Sequence, residues 1–338
     1  MLEHELAAHP GAHRVLTGDR PTGPLHLGHY FGTLLNRVRL QQLGVELLVL
    51  IADYQTITDR DSPASLPCDV EELIADYLAV GIDPDTAVIF THSQIGALNQ
   101  LMLPFLSLVS VAELGRNPTV KAEQASSGLP TTSALMFTYP VHQAADILFC
   151  RGTVVPVGRD QLPHVELARL IARRFNQRYC PAEPFFPEPR ALLSSAPVIL
   201  GTDGQKMSKS RRNAIALRAT KDETARLIGG ARTDSRRHIT YDPAGRPEVS
   251  NLVLLAALAQ SRPPEEIADE IGSGGSAALK RLTADAVNER LRPVRARRRE
   301  LVEDRSYLRE VLRSGNHRAH EIAEDTLAGV HGLMHTRY

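Results

Sequence analysis

The sequence of 338 residues contains no tryptophan and only three cysteines. Cys68, Cys150 and Cys180 lie far apart, without the paired spacing of a zinc site or of a disulfide framework. We therefore expect a reducing, cytoplasmic location and no structural metal. No apolar run approaches the ~18 residues that span a bilayer, and no signal peptide opens the chain, so a membrane role is not expected.

The charges of the chain balance, because lysine plus arginine and aspartate plus glutamate both number 39. This balance excludes nucleic-acid binding through bulk positive charge, so such a partner would have to meet a local basic patch. A hydrophobic content of 43% and a charged content of 23% are ordinary for a globular protein, and the length predicts two domains.

Strand-like and helix-like patterns alternate through the first half of the chain. Short apolar runs at 14–17, 46–52 and 86–90 predict buried strands, and amphipathic segments at 27–43 and 70–80 predict helices between them. Such alternation favours a parallel sheet flanked by helices, with ligands bound beyond the carboxyl ends of the strands. The residues before 13 are predicted to form a polar extension.

A helical segment at 98–114 precedes a stretch at 115–133 that is rich in Gly, Pro, Ser and Thr and predicts a mobile loop or a helix–loop insertion. After Lys209 the pattern becomes purely helical, with a flexible turn predicted at 272–276. The further predicted helices lie at 221–228, 249–260, 264–271, 277–302 and 317–333.

An HxGH motif follows the first predicted strand. Turn residues between Gly18 and Pro24 lead into the next helix, so His26 and His29 are predicted at a helix amino terminus. Free backbone donors and the helix dipole attract phosphate there, and neutral imidazoles add further donors. Gly28, which has no Cβ, would let a base or ribose approach the backbone. Taken alone, the motif is equally compatible with an ordinary helix-start loop.

A KMSKS motif, residues 206–210, ends a polar loop at 201–205. Its two lysines, Lys206 and Lys209, can act as a mobile pair of cations that follows negative charge developing on a leaving pyrophosphate. A solvated basic loop is the alternative for a lysine-rich segment of this length.

The two motifs together resemble the double signature of class I aminoacyl-tRNA synthetases. The segments YPVHQAADIL at 139–148 and VVPVGRDQ at 154–161 are similar to those of tryptophanyl-tRNA synthetases, and the resemblance extends from Val15 to about Leu333. It implies an α/β fold with a Rossmann-like parallel-sheet domain at 1–210, which has an insertion around 98–135. An all-helical anticodon-binding domain would follow at 211–338, with its last helix a candidate to pack back on the first domain.

The resemblance also implies the ligands and the assembly. ATP and tryptophan would form tryptophanyl-adenylate, with Mg²⁺ held mainly by the ATP phosphates, and tRNA(Trp) would receive the tryptophanyl group. Relatives of this family are homodimers. The apolar residues at 101–106 and 108–111 would suit an interface helix, and they would suit a core helix equally well.

The resemblance assigns site residues in three groups. The catalytic residues would be His26, His29, Lys206 and Lys209. ATP would be bound by Arg20, Thr22, Gly28, Gly158, Asp160, Val198, Met207 and Ser208. Tryptophan would be bound by Leu16, Tyr139, Gln143, Asp146, Val155, Val157 and Gln161, with Tyr139 and Gln161 on its α-amino group.

The role implied for Asp146 agrees with its chemistry. Indole has one donor and no acceptor, so a buried carboxylate can bind tryptophan through a hydrogen bond. Phenylalanine has no such donor and would leave the carboxylate unpaired. Asp146 lies in the apolar stretch AADIL, where an unpaired carboxylate would be costly. A helix cap or an internal ion pair is the alternative role for Asp146. His164 and Glu166 are interpreted as scaffold rather than as metal ligands.

Candidate tRNA contacts come from two regions. Arg295, Arg297 and Arg298 lie in the most basic run, within the part that resembles the anticodon-reading region of the family. That run also carries glutamates, and a helix of mixed charge is usually a solvated face. Arg116 and Lys121, in the predicted loop, are candidates for the acceptor stem.

Three departures from the family pattern keep other functions open. Gln55 stands where many bacterial relatives have His, Gln143 where they have Met, and Leu16 where an aromatic residue is common. One alternative is a tyrosyl-tRNA synthetase, which shares the fold and also uses an aspartate to bind its ligand. Another is an auxiliary second copy with weak charging activity, which would bind a protein partner or serve in regulation.

Overall fold

The computed structural model describes residues 2–58, 65–118, 120–121, 133–193, 198–208 and 211–338. Within these residues, five parallel strands form one sheet in the order β3-β2-β1-β4-β5. The order reverses between β1 and β4, where ligands bind in open sheets of this type. The predicted α/β parallel-sheet class is confirmed. The strands are β1 (Arg14–Asp19), β2 (Glu46–Ile51), β3 (Val88–Thr91), β4 (Val154–Val157) and β5 (Arg190–Leu193).

The described α-helices cover both faces of the sheet and make up the regular secondary structure of residues 211–338, the helical region. None of them is long and apolar enough to cross a bilayer. The helices of the first part are α1 (Leu2–Ala8), α2 (Leu27–His29), α3 (Leu35–Gln42), α4 (Leu66–Val80), α5 (Gly96–Leu106), α6 (Val111–Arg116), α7 (Ala134–Leu148) and α8 (Leu162–Tyr179). The helices of the helical region are α9 (Lys221–Gly229), α10 (Pro247–Gln260), α11 (Pro264–Ile271), α12 (Gly275–Glu303) and α13 (Arg305–Leu333).

The sheet is buried on both faces because its strands are apolar at consecutive positions. In β2, Val49 and Ile51 join the apolar cluster that includes α4 and much of the helical region. Leu48 and Leu50 join the cluster that includes α5, α7 and α8. Successive side chains of a strand point to opposite faces, so β2 contributes to the apolar clusters on both sides of the sheet.

The last helix, α13, lies on β3. A Cβ on Gly315 would be 1.8 Å from the Ile89 carbonyl oxygen, so only glycine permits this approach. The next residue, Asn316, accepts a hydrogen bond from the backbone N–H of Thr91 at 2.9 Å. The helix therefore covers the edge strand of the sheet and joins the carboxyl end of β3 directly.

A cluster of ion pairs connects α4 with α12 and α13. Arg298 of α12 contacts Asp76 at 2.6 Å and also pairs with Glu72. Arg305 of α13 bonds Glu72 at 2.6 Å. Asp76 also accepts a hydrogen bond from the backbone N–H of Leu25 at 3.2 Å, one residue before the HxGH motif. The helical region is thus tied to the loop that leads into α2.

Some element boundaries differ from the predictions. The amino-terminal segment is not merely a polar extension, because it forms α1 and buries Leu6 completely. The predicted helix at 98–114 is divided into α5 and α6, since Ser110 caps a new helix start. The helix predicted at 317–333 begins at Arg305, where Asp304 caps it. Much of the predicted loop at 115–133 lies outside the described residues.

We expect Gly315→Ala to destabilise the protein, because the added methyl group would overlap the Ile89 backbone. Overpacking of this kind costs about 1–3 kcal/mol of unfolding free energy, which urea unfolding would measure. Gly332→Ala is the matched control, since nothing lies within 4 Å of its added Cβ in the same helix. Equal unfolding midpoints for the two variants would contradict the close packing of α13 on β3.

Candidate active site

A cavity of about 480 Å³ opens at the carboxyl ends of β1 and β4, where the strand order reverses. All seven residues predicted to bind tryptophan line it, and so do four of those predicted to act on ATP. The residues that the sequence assigned to tryptophan are therefore gathered in one cavity at this edge of the sheet. The first group is Leu16, Tyr139, Gln143, Asp146, Val155, Val157 and Gln161, and the second is Arg20, His29, Gly158 and Asp160.

The two histidines of the HxGH motif cap the helix that they begin. His26 Nδ1 accepts a hydrogen bond from the Gly28 N–H, and His29 Nδ1 accepts one from the His26 N–H, both at 3.2 Å. A nitrogen that accepts carries no proton, so these bonds favour neutral rings with the proton on Nε2. Both imidazoles can then donate from Nε2. The side of Gly28 that lacks a Cβ faces the His26 ring and Met207.

The KMSKS loop lies beside the HxGH motif. The Leu27 N–H donates to the Ile215 carbonyl at 3.0 Å, and the Leu217 N–H donates to the Leu25 carbonyl at 2.9 Å. The Cβ of Met207 lies 3.8 Å from the position that a Cβ on Gly28 would take. Two motifs far apart in the sequence are therefore neighbours in space. Lys206 is exposed, whereas Lys209 and Ser210 lie outside the described residues.

Asn213 organises this loop, a role that the sequence reasoning missed. Its side chain accepts from the Ser208 N–H at 2.8 Å and donates to Asp203 at 2.7 Å and to the Lys206 carbonyl at 3.2 Å. Asn251 of α10 holds the Leu200 backbone through two further hydrogen bonds. A polar side chain just after a loop is a common pattern, so the sequence offers no specific signal for the role of Asn213.

Asp146 lies almost fully buried at the end of the cavity. Its Oδ1 is 2.9 Å from Nε2 of His92 and 4.0 Å from Nδ1 of His142. The internal ion pair that the sequence left open is therefore present, and Asp146 still reaches the cavity wall. Nothing in the local sequence around His92 indicates that it would meet Asp146. These three side chains also form a cluster of potential metal ligands.

The imidazole beside the Tyr139 hydroxyl is uncharged. The Tyr139 hydroxyl lies 3.3 Å from Nε2 of His164, which also lines the cavity. Burial lowers the pKa of His164 to about 4, so its imidazole is neutral at physiological pH. A neutral ring beside Tyr139 does not repel an ammonium group, as an imidazolium would.

A buried charge network forms part of the cavity wall and was not foreseen. Arg37 pairs with Asp19 at 2.6 Å, and the Tyr77 hydroxyl donates to the same carboxylate at 2.7 Å. Burial acts to raise the pKa of Asp19, but the Arg37 guanidinium and the Tyr77 hydrogen bond hold it well below its usual range. The network fixes the carboxyl end of β1, because Arg37 also bonds the Gly18 carbonyl.

Other residues predicted to bind ATP are not on the cavity wall. Thr22 forms a tight turn, its N–H donating to the Arg20 carbonyl at 2.8 Å. Val198 is exposed, Met207 is buried, and Ser208 is held by Asn213. These residues belong to the loops around the HxGH and KMSKS motifs.

The candidate tRNA residues have different environments. Arg298 is 11% exposed and is engaged by Asp76 and Glu72. Arg297 is 56% exposed and bonds Glu300, and Arg295 bonds Asn288 and Thr224. The exposed candidates near α6 are Arg116 and Lys121.

Comparison with known proteins finds members of one enzyme family along nearly the whole chain. Residues 10–292 match the model of class I tRNA synthetases for W and Y. A tryptophan–tRNA ligase of Treponema pallidum is 42% identical over 95% of this chain and 96% of its own length, and one of Clostridium longisporum is 38% identical over 96% and 97%.

Solved structures agree with the sequence relatives. The Campylobacter jejuni tryptophanyl-tRNA synthetase, solved with ADP and tryptophan, superposes with a TM-score of 0.81 at 30% identity, covering 95% of this chain and 99% of that one. A tyrosyl-tRNA synthetase of Archaeoglobus fulgidus shares the fold at 22% identity, with a TM-score of 0.66 over 84% and 90% of the two chains. Sequence identity and fold thus converge, and the chain belongs to the class I tryptophanyl-tRNA synthetases.

Proposed function

We propose which of the described residues bind tryptophan, ATP and tRNA in the reaction of a tryptophan–tRNA ligase. The reaction joins tryptophan and ATP to give tryptophanyl-adenylate and pyrophosphate, and then transfers the tryptophanyl group to tRNA(Trp) with release of AMP. The observation that carries the assignment is one cavity at the β1–β4 reversal that gathers all seven candidate tryptophan residues beside the HxGH loop. The ADP and tryptophan bound by the Campylobacter jejuni relative support the same pair of ligands here.

Tryptophan is bound at the Asp146 end of the cavity. Asp146 accepts the indole N–H, and Leu16, Val155 and Val157 supply apolar walls for the ring. An ionised carboxylate only accepts hydrogen bonds, which matches the single donor of indole. Tyr139 and Gln161 contact the α-amino group, beside the neutral His164, and Gln143 contributes a further polar group to the wall.

ATP is bound where the HxGH and KMSKS motifs meet. His26 and His29 donate from Nε2 to the phosphates, and the amino terminus of the helix adds backbone donors. Lys206, together with Lys209, stabilises the charge that builds on pyrophosphate. Contacts to the rest of the nucleotide come from Arg20, Thr22, Gly28, Gly158, Asp160, Val198, Met207 and Ser208.

The reaction needs no general base for activation, because the tryptophan carboxylate is already ionised at neutral pH. Mg²⁺ would enter with ATP and neutralise phosphate charge. Histidines and a lysine surround the described part of the phosphate region, and the nearby carboxylate of Asp19 is committed to Arg37. This donor set fits a metal held by the phosphates rather than by protein carboxylates.

Binding of tRNA draws on exposed basic residues. Arg297, Arg116 and Lys121 remain candidates for contact with phosphates, and Arg295 is half-buried. Arg298 is better explained as the link between α12 and α4, since two carboxylates of α4 bind it. Anticodon reading by the helical region stays a prediction.

The tryptophan assignment is favoured over the tyrosyl alternative. Curated relatives at 38–42% identity are tryptophan–tRNA ligases, whereas the tyrosyl structure shares only 22% identity. The HxGH motif and the described part of the KMSKS loop retain the geometry for activation, which favours an active ligase over an auxiliary protein with a regulatory role. Cytoplasmic location stays a prediction.

We expect pyrophosphate exchange to depend on tryptophan and not on tyrosine, and we expect Asp146→Ala to raise the KM for tryptophan on the order of 10²-fold. A hydrogen bond to a charged group contributes about 1.5–3 kcal/mol, which corresponds to this range. The KM for ATP is the internal control and should change less than twofold. Because the chain has no tryptophan, ligand fluorescence reports binding directly.

An unchanged KM for tryptophan in Asp146→Ala would remove Asp146 as the indole acceptor. Exchange that tyrosine supports better than tryptophan would overturn the substrate, and no exchange with either amino acid would overturn the enzymatic function.

We expect His29→Asn to lower kcat of exchange by roughly 10²–10³-fold while stability is retained. The asparagine oxygen can replace Nδ1 as the acceptor for the His26 N–H, but the donor at Nε2 is lost. His29→Leu removes both groups and should also lower the unfolding midpoint. Full activity of His29→Asn would show that Nε2 does not act on the phosphates.

We also propose a homodimer that involves the surface of α5 and α6. Leu103 and Val111 are 72% and 75% exposed there, and exposed apolar surface is what a protein interface would cover. Sedimentation velocity should show a dimer, and Leu103→Glu should shift it toward monomer. Leu193→Glu, at an exposed apolar residue of β5, is the control and should leave the mass unchanged. A wild-type monomer at micromolar concentration would refute the dimer.

A further inference from the structure

We propose that His92 is a positioning residue that orients Asp146 to accept the indole N–H. His92 directly follows β3, and Asp146 is in α7. The inference rests on the proposed role of Asp146, and it adds a residue that neither the motifs nor the predicted pocket contained.

The two side chains are in direct contact. His92 Nε2 is 2.9 Å from Asp146 Oδ1, and the side chains are 0% and 2% exposed. A carboxylate buried to this depth without a partner would be costly, so the pair stabilises Asp146 in place. Because His92 engages Oδ1, the indole N–H takes Oδ2. One oxygen of the carboxylate therefore contacts a fixed protein partner, and the other binds the ligand.

Hydrogen bonds fix the backbone on both sides of His92. The N–H of Thr91 donates to Asn316 of α13 at 2.9 Å, and the N–H of Ser93 donates to Asp53 at 3.1 Å. The His142 ring meets the His92 ring edge-on, with centroids 4.8 Å apart. A rigidly held imidazole is suited to orienting a neighbour.

The charges that face His92 favour its protonated form. Burial acts to lower the pKa of His92, but the carboxylates of Asp146 and Asp53 outweigh it, and the pKa is raised overall. Burial lowers the pKa of His142, so that ring stays neutral. Oδ1 does not lie in line with the His92 N–H, so the attraction is mainly between charges. Such attraction depends on distance more than on direction.

A metal site formed by His92, His142 and Asp146 is the competing explanation, because their donor atoms lie within 4.8 Å of one another. The Nε2–Oδ1 distance of 2.9 Å is shorter than the separation of about 3.3 Å that two zinc bonds of tetrahedral geometry would give. A bound cation would also occupy the carboxylate that indole needs. The ion pair explains the geometry without this conflict.

The test is a substitution series at His92 in the full chain, with tryptophan binding followed by ligand fluorescence and activation by pyrophosphate exchange. His92→Leu should raise the Kd and KM for tryptophan about 10-fold to 100-fold, with the KM for ATP and kcat changed less than twofold. His92→Gln places an amide nitrogen near the position of Nε2 but carries no charge, so it should recover only a minor part of the affinity. His92→Asn is too short to reach that position and should recover none.

A double-mutant cycle with Asp146→Ala separates positioning from a general structural effect. If His92 acts through Asp146, His92→Leu should add little to the loss that Asp146→Ala already causes. Additive losses, or equal increases in the KM for ATP, would overturn the proposal. A change of tryptophan Kd on adding EDTA to the wild-type protein would support the metal site instead. If Asp146→Ala itself has no effect, the proposed tryptophan site fails, which is a different outcome.

Discussion

A single buried carboxylate, Asp76, joins the helical region to the loop that leads into α2 and the HxGH motif. Its Oδ2 accepts from the Leu25 N–H, and its Oδ1 accepts from Arg298 at 2.6 Å. Burial raises the pKa of Asp76, while Arg298 acts to lower it. Removing one partner of such a buried pair typically costs about 3–5 kcal/mol. The start of the HxGH motif therefore depends on a helix that lies more than half the sequence away, and the KMSKS loop depends on Asn251 of the same region in a similar way.

The proposed function assigns the charges of the site to different parts of the ligands. Histidine donors and Lys206 would face the phosphates, and the carboxylate of Asp146 would face the indole ring. Among the other residues of the cavity wall, Asp19 and Arg37 neutralise each other, and His164 is kept neutral by burial. Neither ammonium nor phosphate therefore meets an unpaired like charge from these groups. The ion pair that stabilises the buried side chains of Asp19 and Arg37 therefore also preserves the difference in charge between the proposed phosphate and indole regions.

Much of the fold was predictable because its signals are local. The strand runs and the helix start at His26 follow from period and turn residues, and the residues proposed for tryptophan follow from the family resemblance. The unforeseen residues act through distant neighbours: His92 on Asp146, Asn213 on the KMSKS loop, and Asn316 on the end of β3. Arg298 shows the same limit, since a basic run in a helix resembles a solvated face until its carboxylate partners are known.

The sequence by itself determined the class of the protein, the order of its elements and the chemistry of its two motifs, because residues close in the chain specify turns, helix caps and apolar faces. Only the tertiary structure decided how the motifs meet and how the pocket carboxylate is held. Those features depend on side chains from separate elements, such as His92 after β3 and Asp146 in α7, and no spacing in the chain encodes a distance of 2.9 Å between them.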